Sequence, residues 1–156
     1  MKQLIATLVA SIVHLPVLAQ AQAPDCSSRK SLTIARAEID QALKAMGDDA
    51  SHRKAQLVSA LRAKADRLGW PDGRQSDLIK KAFSSRDFSA FEEEKQPLVA
   101  AVMQAVLASS GPHPSATPCE SAETVKSLAH QFMRVSVRQH AQAASDIGLA
   151  TGSDAQ

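Results

Sequence analysis

The chain has 156 residues, of which 44% are hydrophobic, 22% charged and only 3% aromatic, and its formal net charge is +2. These values fit one ordinary domain and exclude a multidomain machine, a polytopic membrane protein and a repetitive linker-like polymer. The small net charge also argues against a dedicated nucleic-acid binder, which concentrates a large excess of Lys and Arg on one face. We therefore expect no nucleic acid among the partners.

The first residues have the order of a secretory signal peptide. Lys2 is followed by an apolar run over residues 4–18 and then by Ala-Gln-Ala-Gln-Ala, which offers cleavage after Ala21 or Ala23. Pro16 interrupts the apolar run, and a helix that spans a bilayer needs about twenty apolar residues. The sequence thus predicts that residues 1–23 are removed, that no transmembrane segment remains, and that the protein is periplasmic or secreted.

Two cysteines, Cys26 and Cys119, remain in the predicted mature chain. An even number of cysteines in an oxidising compartment favours one intramolecular disulfide. Two buried thiols and an intermolecular bridge are the alternatives. A redox-active pair is disfavoured, because such pairs are normally spaced as C-x-x-C.

From residue 26 onward, apolar residues recur at helical spacing and no segment alternates with period two. The pattern predicts an all-α, up-and-down bundle of about five helices. They are A (28–46), B (51–68), C (76–84), D (89–109) and E (118–147). The single domain covers residues 24–148, and the polar residues 149–156 are expected to form a disordered tail.

Glycines and capping residues set the predicted boundaries. Gly47 and Gly69 follow the last apolar positions of helices A and B, as C-terminal glycines do. Ser89 with Glu92 and Thr117 with Glu120 match the capping-box pattern at the starts of helices D and E. Pro97 predicts a kink or a restart within helix D, and the last two turns of helix E are expected to project beyond the bundle.

The predicted disulfide constrains the topology. It requires the N-termini of helices A and E to lie at the same end, with Cα atoms about 4.4 to 6.8 Å apart. Five alternating helices satisfy this requirement and four do not. Helix C must then serve as one of the return passes.

No motif for catalysis or cofactor binding is present in the sequence. There is no G-x-S-x-G, P-loop or dinucleotide fingerprint, and no C-x-x-C-H for haem attachment. The histidines of the predicted mature chain are His52, His113, His130 and His140. They include no pair spaced by four residues and are expected to face solvent. The sequence therefore predicts a protein that is not an enzyme and has no cofactor or metal.

Three surface features suit a binding role. The first is a basic ridge on helix E, the second an acidic cluster in helix D, and the third a lone Trp in a Trp-Pro-Asp-Gly turn. Their residues are Lys126, His130, Arg134 and Arg138, then Glu92, Glu93 and Glu94, and finally Trp70. The alternatives are a solvated face whose charges pair within the chain, and a Trp that covers one end of the bundle.

These features favour an exported, non-catalytic protein-binding module whose partner is another exported protein. By analogy alone, immunity proteins and secretion-accessory proteins are examples of this class. The alternative is a periplasmic carrier or sensor of a small ligand or metal. An enclosed cavity above about 300 Å³ would favour the carrier, and a filled core with an exposed apolar patch would favour the partner binder.

Overall fold

A computed structural model describes residues 26–71 and 73–149. In these residues it contains four α-helices and no strand: α1 (Arg29–Leu68), α2 (Arg74–Phe83), α3 (Arg86–Ala108) and α4 (Pro118–Asp146). The all-helical class is confirmed, whereas the count of five helices is not. The predicted signal peptide and residues 150–156 of the predicted tail lie outside the described residues.

Predicted helices A and B form one continuous helix. α1 runs through Gly47, whose φ is not positive, so the boundary predicted there is wrong. Just after Gly47, Asp49 pairs with Arg53 one turn further along the same helix, at 2.8 Å. Glycine inside a helix costs about 1 kcal/mol relative to alanine, but the buried stripe continues at helical spacing across it. That stripe is Ala35, Ile39, Ala42, Met46, Leu57, Leu61 and Ala65. The predicted stop at Gly69 is confirmed, with φ 61°.

α3 begins three residues earlier than predicted. The Oγ of Ser85 accepts a hydrogen bond from the Phe88 N–H at 3.1 Å, and this serine is the N-cap. The capping box predicted for Ser89 and Glu92 is therefore wrong, because an equally good cap one turn earlier adds a turn of helix. α3 also continues through Pro97 without a restart.

The predicted start of α4 is confirmed. Glu120 Oε2 accepts the Thr117 N–H at 2.8 Å, and Thr117 Oγ1 accepts the Glu120 N–H at 3.2 Å, so the capping box is complete. The last turns do not project beyond the bundle as predicted. Ala143 is 1% exposed and Ile147 is 5% exposed, because the long α1 extends far enough to cover them.

α1 and α4 run parallel, and α3 runs antiparallel to both. Lys126 of α4 pairs with Glu38 near the start of α1, and Lys64 near the end of α1 donates to the Gly148 carbonyl just after α4. α4 packs against both α1 and α3, which barely touch each other. α4 is therefore the central helix.

Three long helices run the length of the bundle, instead of the five alternating helices that the disulfide constraint predicted. α2 has 10 residues, about 15 Å at 1.5 Å per residue, whereas the 23 residues of α3 span about 35 Å. The expectation that predicted helix C makes a return pass is thus wrong. α2 only connects α1 to α3 at the far end, and α3 makes the return.

Cys26 and Cys119 form the predicted disulfide, with Cα atoms 5.9 Å apart. The bond joins the chain just before α1 to the first turn of α4, and it closes a loop of 93 residues. On the chain-entropy account, a loop of this length stabilises the fold by about 4 to 5 kcal/mol. The bond holds the N-termini of the two parallel helices together.

The buried side chains form two apolar clusters along the bundle. The cluster nearer the disulfide includes Ile39, Val102 and Phe132, and the cluster at the far end includes Leu57 and Leu61. Between them, the facing positions of α1, α3 and α4 carry polar side chains. This polar layer consists of Asp49, Arg53, Glu92, Lys95, Ser136, Gln139 and His140.

Candidate functional site

The basic ridge crosses the exposed side of the central helix. Residues four apart on a helix are displaced by about 40° around its axis. Along α4 the ridge therefore shifts from the side that faces α1 to the side that faces α3. Lys126 and His130 line a depression of about 250 Å³ between α1 and α4. Arg134 and Arg138 line a groove of about 590 Å³ between α3 and α4. The four residues predicted as one site therefore lie in two surface depressions.

The first part of the ridge fastens α4 to α1. Lys126 Nζ lies 2.6 Å from Glu123 and 3.2 Å from Glu38 of α1. The hydrogen bond to Glu123, helped by Glu38, raises the pKa of Lys126 above its usual value. His130 is exposed, with no ion-pair partner among the residues described. The charge of Lys126 is thus already matched within the chain.

The second part of the ridge is exposed to solvent. Arg138 pairs with Glu94 of α3 and lies 5.5 Å from the centre of the Phe91 ring. Both charged side chains of this pair are about half-exposed, and exposed pairs contribute only about 0 to 1 kcal/mol. Arg134 is exposed, and no carboxylate in the described part of the chain lies within ion-pair distance of it.

Apolar side chains form much of the groove between the two arginines and α3. Leu98 of α3 and Val135 and Val137 of α4 line it, together with Gln131 and Glu94. Val137 remains 45% exposed. We call this depression, with its two arginines, the α3/α4 groove. It combines cationic edges with apolar contact area and is open to solvent.

The three residues of the acidic cluster point in different directions and do not form one surface patch. Glu92 turns inward to Lys95 and Gln139, Glu94 turns to Arg138, and Glu93 is exposed without an ion-pair partner among the described residues. Successive residues on a helix point about 100° apart, which accounts for the three directions. Only Glu94 belongs to the α3/α4 groove.

A buried lysine in the polar layer was not anticipated from the sequence. Lys95 is 5% exposed, and its Nζ lies 2.8 Å from both Glu92 and Gln139 and 5.3 Å from the centre of the Phe132 ring. Gln139 is fully buried and donates to Glu92 at 2.6 Å and to the Phe88 carbonyl at 3.2 Å. Every polar atom of this pair has a partner, as buried polar groups require.

Burial and hydrogen bonding act in opposite directions on the carboxylate of Glu92. Burial alone would raise its pKa, but hydrogen bonds from Lys95 and Gln139 outweigh that effect, and the pKa lies below its usual value. Asp49 behaves in the same way. Its burial would raise the pKa, and the hydrogen bonds and charge of Arg53 lower it instead. Both carboxylates are therefore held in the charged form.

His140 closes the α2 side of the polar layer. Its Nδ1 lies 2.8 Å from the Ser136 carbonyl, and its ring meets those of Phe83 and Phe88 edge to face. Burial lowers its pKa, and the charges of Lys95 and Arg53 add to the effect. The expectation that this histidine faces solvent is thus wrong, because Phe83 and Phe88 cover it.

The buried hydroxyl of Ser136 faces Asp49 but makes no hydrogen bond of ordinary geometry. The other three histidines, His52, His113 and His130, are exposed as predicted. No group of three or more His, Cys, Asp or Glu side chains within the described ranges could hold a metal ion.

Trp70 lies where α1 turns into α2, at the end of the bundle farthest from the disulfide. It is half-buried against the distal apolar cluster, and the Arg74 guanidinium lies 4.4 Å from its ring centre. Lys64 lies 5.9 Å from the same ring. Trp70 therefore covers the end of the bundle while one part of the ring remains accessible. It is far from the α3/α4 groove and does not share a site with it.

No helix among the described residues is both long and apolar enough to cross a membrane. No protein-family model, curated protein or solved structure matches the chain.

Proposed function

We propose that the chain is an exported, non-catalytic protein-binding module that holds its partner in the α3/α4 groove. The observation that carries the proposal is the groove itself, where Arg134, which has no ion-pair partner among the described residues, and the weakly paired Arg138 flank the exposed Val137. Immunity proteins and secretion-accessory proteins illustrate the class by analogy only.

The chemistry of the groove specifies the partner surface. An acidic segment with an apolar side chain between its carboxylates would fill the groove and meet both arginines. Arg138 can exchange Glu94 for a partner carboxylate at little cost, because both side chains of the existing pair are about half-exposed. Arginine is enriched at binding hot spots, where it forms paired hydrogen bonds with carboxylates.

Export is supported by the disulfide and by the order of the first residues. Disulfides persist in oxidising compartments and are rare in the cytosol. The alternative function, a carrier or sensor of a small ligand or metal, calls for an enclosed polar cavity. The grooves described here open to solvent, so no specific observation favours that alternative.

Charge reversal in the groove tests the proposal. Arg134→Glu together with Arg138→Glu is expected to weaken capture of the partner from the exported fraction by tenfold or more, with unchanged helix content. Arg29→Glu with Lys30→Glu, which makes the same charge change at the exposed start of α1, is the matched control. Equal capture by the groove variant and the wild type would contradict the proposal, as would an equal loss in the control.

A further inference from the structure

The charges of the chain are distributed unevenly along its length. Residues 54–83 carry seven of the 18 basic side chains and only three of the 16 acidic ones, which leaves eleven basic and thirteen acidic residues in the rest of the chain. The near-neutral total therefore hides a basic region. That region comprises the last 15 residues of α1, the turn after it and the whole of α2.

The cations of this region form no ion pair with any carboxylate that the structure describes. Where the structure describes the chain, none of the seven lies within ion-pair distance of a carboxylate. Arg62, Arg67 and Arg74 are exposed, and Lys64 makes its hydrogen bond to a backbone carbonyl. The positive charge is thus not matched by carboxylates of the described residues, unlike that of Lys126 and Arg138.

Two apolar side chains lie along the chain between the cations of α1 and those of α2. Leu68, the last residue of α1, is 54% exposed, and the half-buried Trp70 follows it in the turn. Lys64 lies level with the end of α4, since it reaches Gly148. The four further residues of α1 extend about 6 Å past that level. We call Arg62, Lys64, Arg67, Leu68, Trp70 and Arg74 the distal pole.

We propose that the distal pole docks the protein on an anionic phospholipid bilayer. Each Lys or Arg near such a surface adds a similar increment of attraction, and no shaped pocket is needed. Leucine and tryptophan at the same place suit the boundary between headgroups and acyl chains. Trp70 is suited to this boundary because its ring is apolar and its N–H is polar.

A bilayer fits the distal pole better than an acidic protein does. The cations lie on two helices around the turn that joins them, and the depression of about 460 Å³ that Arg62 lines on α1 opens to solvent, so they match a surface of many equal anions. The α3/α4 groove, by contrast, has two arginines on fixed edges with apolar residues between them. This inference is independent of the proposed function, since the two surfaces share no residue.

Vesicle binding provides the test, with Trp70 as the reporter because the chain has no other tryptophan. The protein is purified from the exported fraction and its N-terminal residue is determined, since an uncleaved apolar run over residues 4–18 could itself enter a bilayer. Vesicles of phosphatidylcholine with phosphatidylglycerol are compared with vesicles of phosphatidylcholine alone. We expect binding and a blue shift of Trp70 emission only with the anionic vesicles, and weaker binding as salt rises.

Two variants with the same charge change locate the contact. Arg62→Gln with Arg67→Gln removes two cations of the distal pole that do not contact Trp70, and binding should fall by about 30-fold. Arg29→Gln with Lys30→Gln removes two exposed cations at the disulfide end and should leave binding unchanged. Equal binding to neutral vesicles, an unshifted Trp70 emission, or equal loss in both variants would overturn the proposal. Binding only to an acidic protein and not to anionic vesicles would overturn it as well.

Discussion

At the scale of single residues, the polar layer is the unusual feature of this protein. Burying an ammonium group is unfavourable unless it is fully hydrogen-bonded, and Lys95 meets that condition through Glu92 and Gln139. The three side chains come from two helices. A slip of α3 along α4 by one turn would leave Lys95 among apolar side chains, so the pair favours one alignment of the two helices.

The sequence contained a signal for this layer. Lys95 falls on the apolar stripe of α3, between Phe91 and Leu98, and Gln139 falls on that of α4, between Phe132 and Ala143. Long polar side chains at core positions indicate a buried pair. Their partners could not be predicted, because the alignment of α3 with α4 is set by tertiary packing.

His140 should make the stability of the protein depend on pH. Its pKa in the folded protein is lowered from the usual 6.5. Between the folded pKa and pH 6.5, the unfolded chain therefore binds more protons than the folded protein does. The stability contributed by neutral His140 is present above pH 6.5 and is lost as pH falls from 6.5 through the folded pKa. Asp49 and Glu92, with usual values of 3.8 and 4.5, lose their contributions mainly at lower pH.

Thermal unfolding between pH 7 and pH 5 would measure this effect. The wild type should lose stability relative to His140→Gln as the pH falls, because only the wild type must protonate the half-buried ring. His113→Gln, in the exposed loop, is the control and should follow the wild type. Parallel curves for the wild type and His140→Gln would contradict this explanation.

At the scale of elements, the sequence predicted a helix end correctly only where no second capping residue or continuing apolar stripe offered an alternative. Thr117 with Glu120, with Pro118 between them, predicted the start of α4 correctly, and Gly69 predicted the end of α1. The helix end predicted at Gly47 is wrong. The neighbours of this glycine preserve the spacing of the buried stripe, and packing against α4 determines whether such a stripe stays helical through a glycine.

Substitution of the two glycines by alanine distinguishes a continuous α1 from two helices. Gly47→Ala should stabilise the protein by about 1 kcal/mol, since a Cβ at this position meets no atom within 4 Å. Gly69→Ala should destabilise it by a similar amount, because this residue has φ 61°. Denaturant unfolding measures both changes, and destabilisation by Gly47→Ala would mean that Gly47 ends a helix.

At the scale of the whole molecule, α4 organises the fold. It is clamped to α1 by the disulfide and contacts both long neighbours, which places one exposed strip of α4 between two grooves. The ridge predicted from the spacing of Lys126, His130, Arg134 and Arg138 lies along this strip. The four-residue spacing indicated that these residues lie along one side of a helix, but their role in binding stays a prediction.

The division of the ridge into two parts could not be predicted in the same way. Whether a cation is matched depends on which acidic residues the neighbouring helices bring to it, and those positions follow from the pairing of α1 and α3 with α4. Lys126 is matched by Glu38, 88 residues away, whereas Arg134 is not matched among the described residues. Pairing over such distances is a property of the assembled bundle.

Photo-crosslinking in the producing cell tests the central claim most directly. A photoreactive amino acid at Val137, inside the α3/α4 groove, should give one defined adduct with an exported protein. The same group at the exposed Ser59 of α1, outside the groove, should give none. No adduct at Val137, or the same adduct at both positions, would contradict the account that this protein acts by holding a partner in the α3/α4 groove.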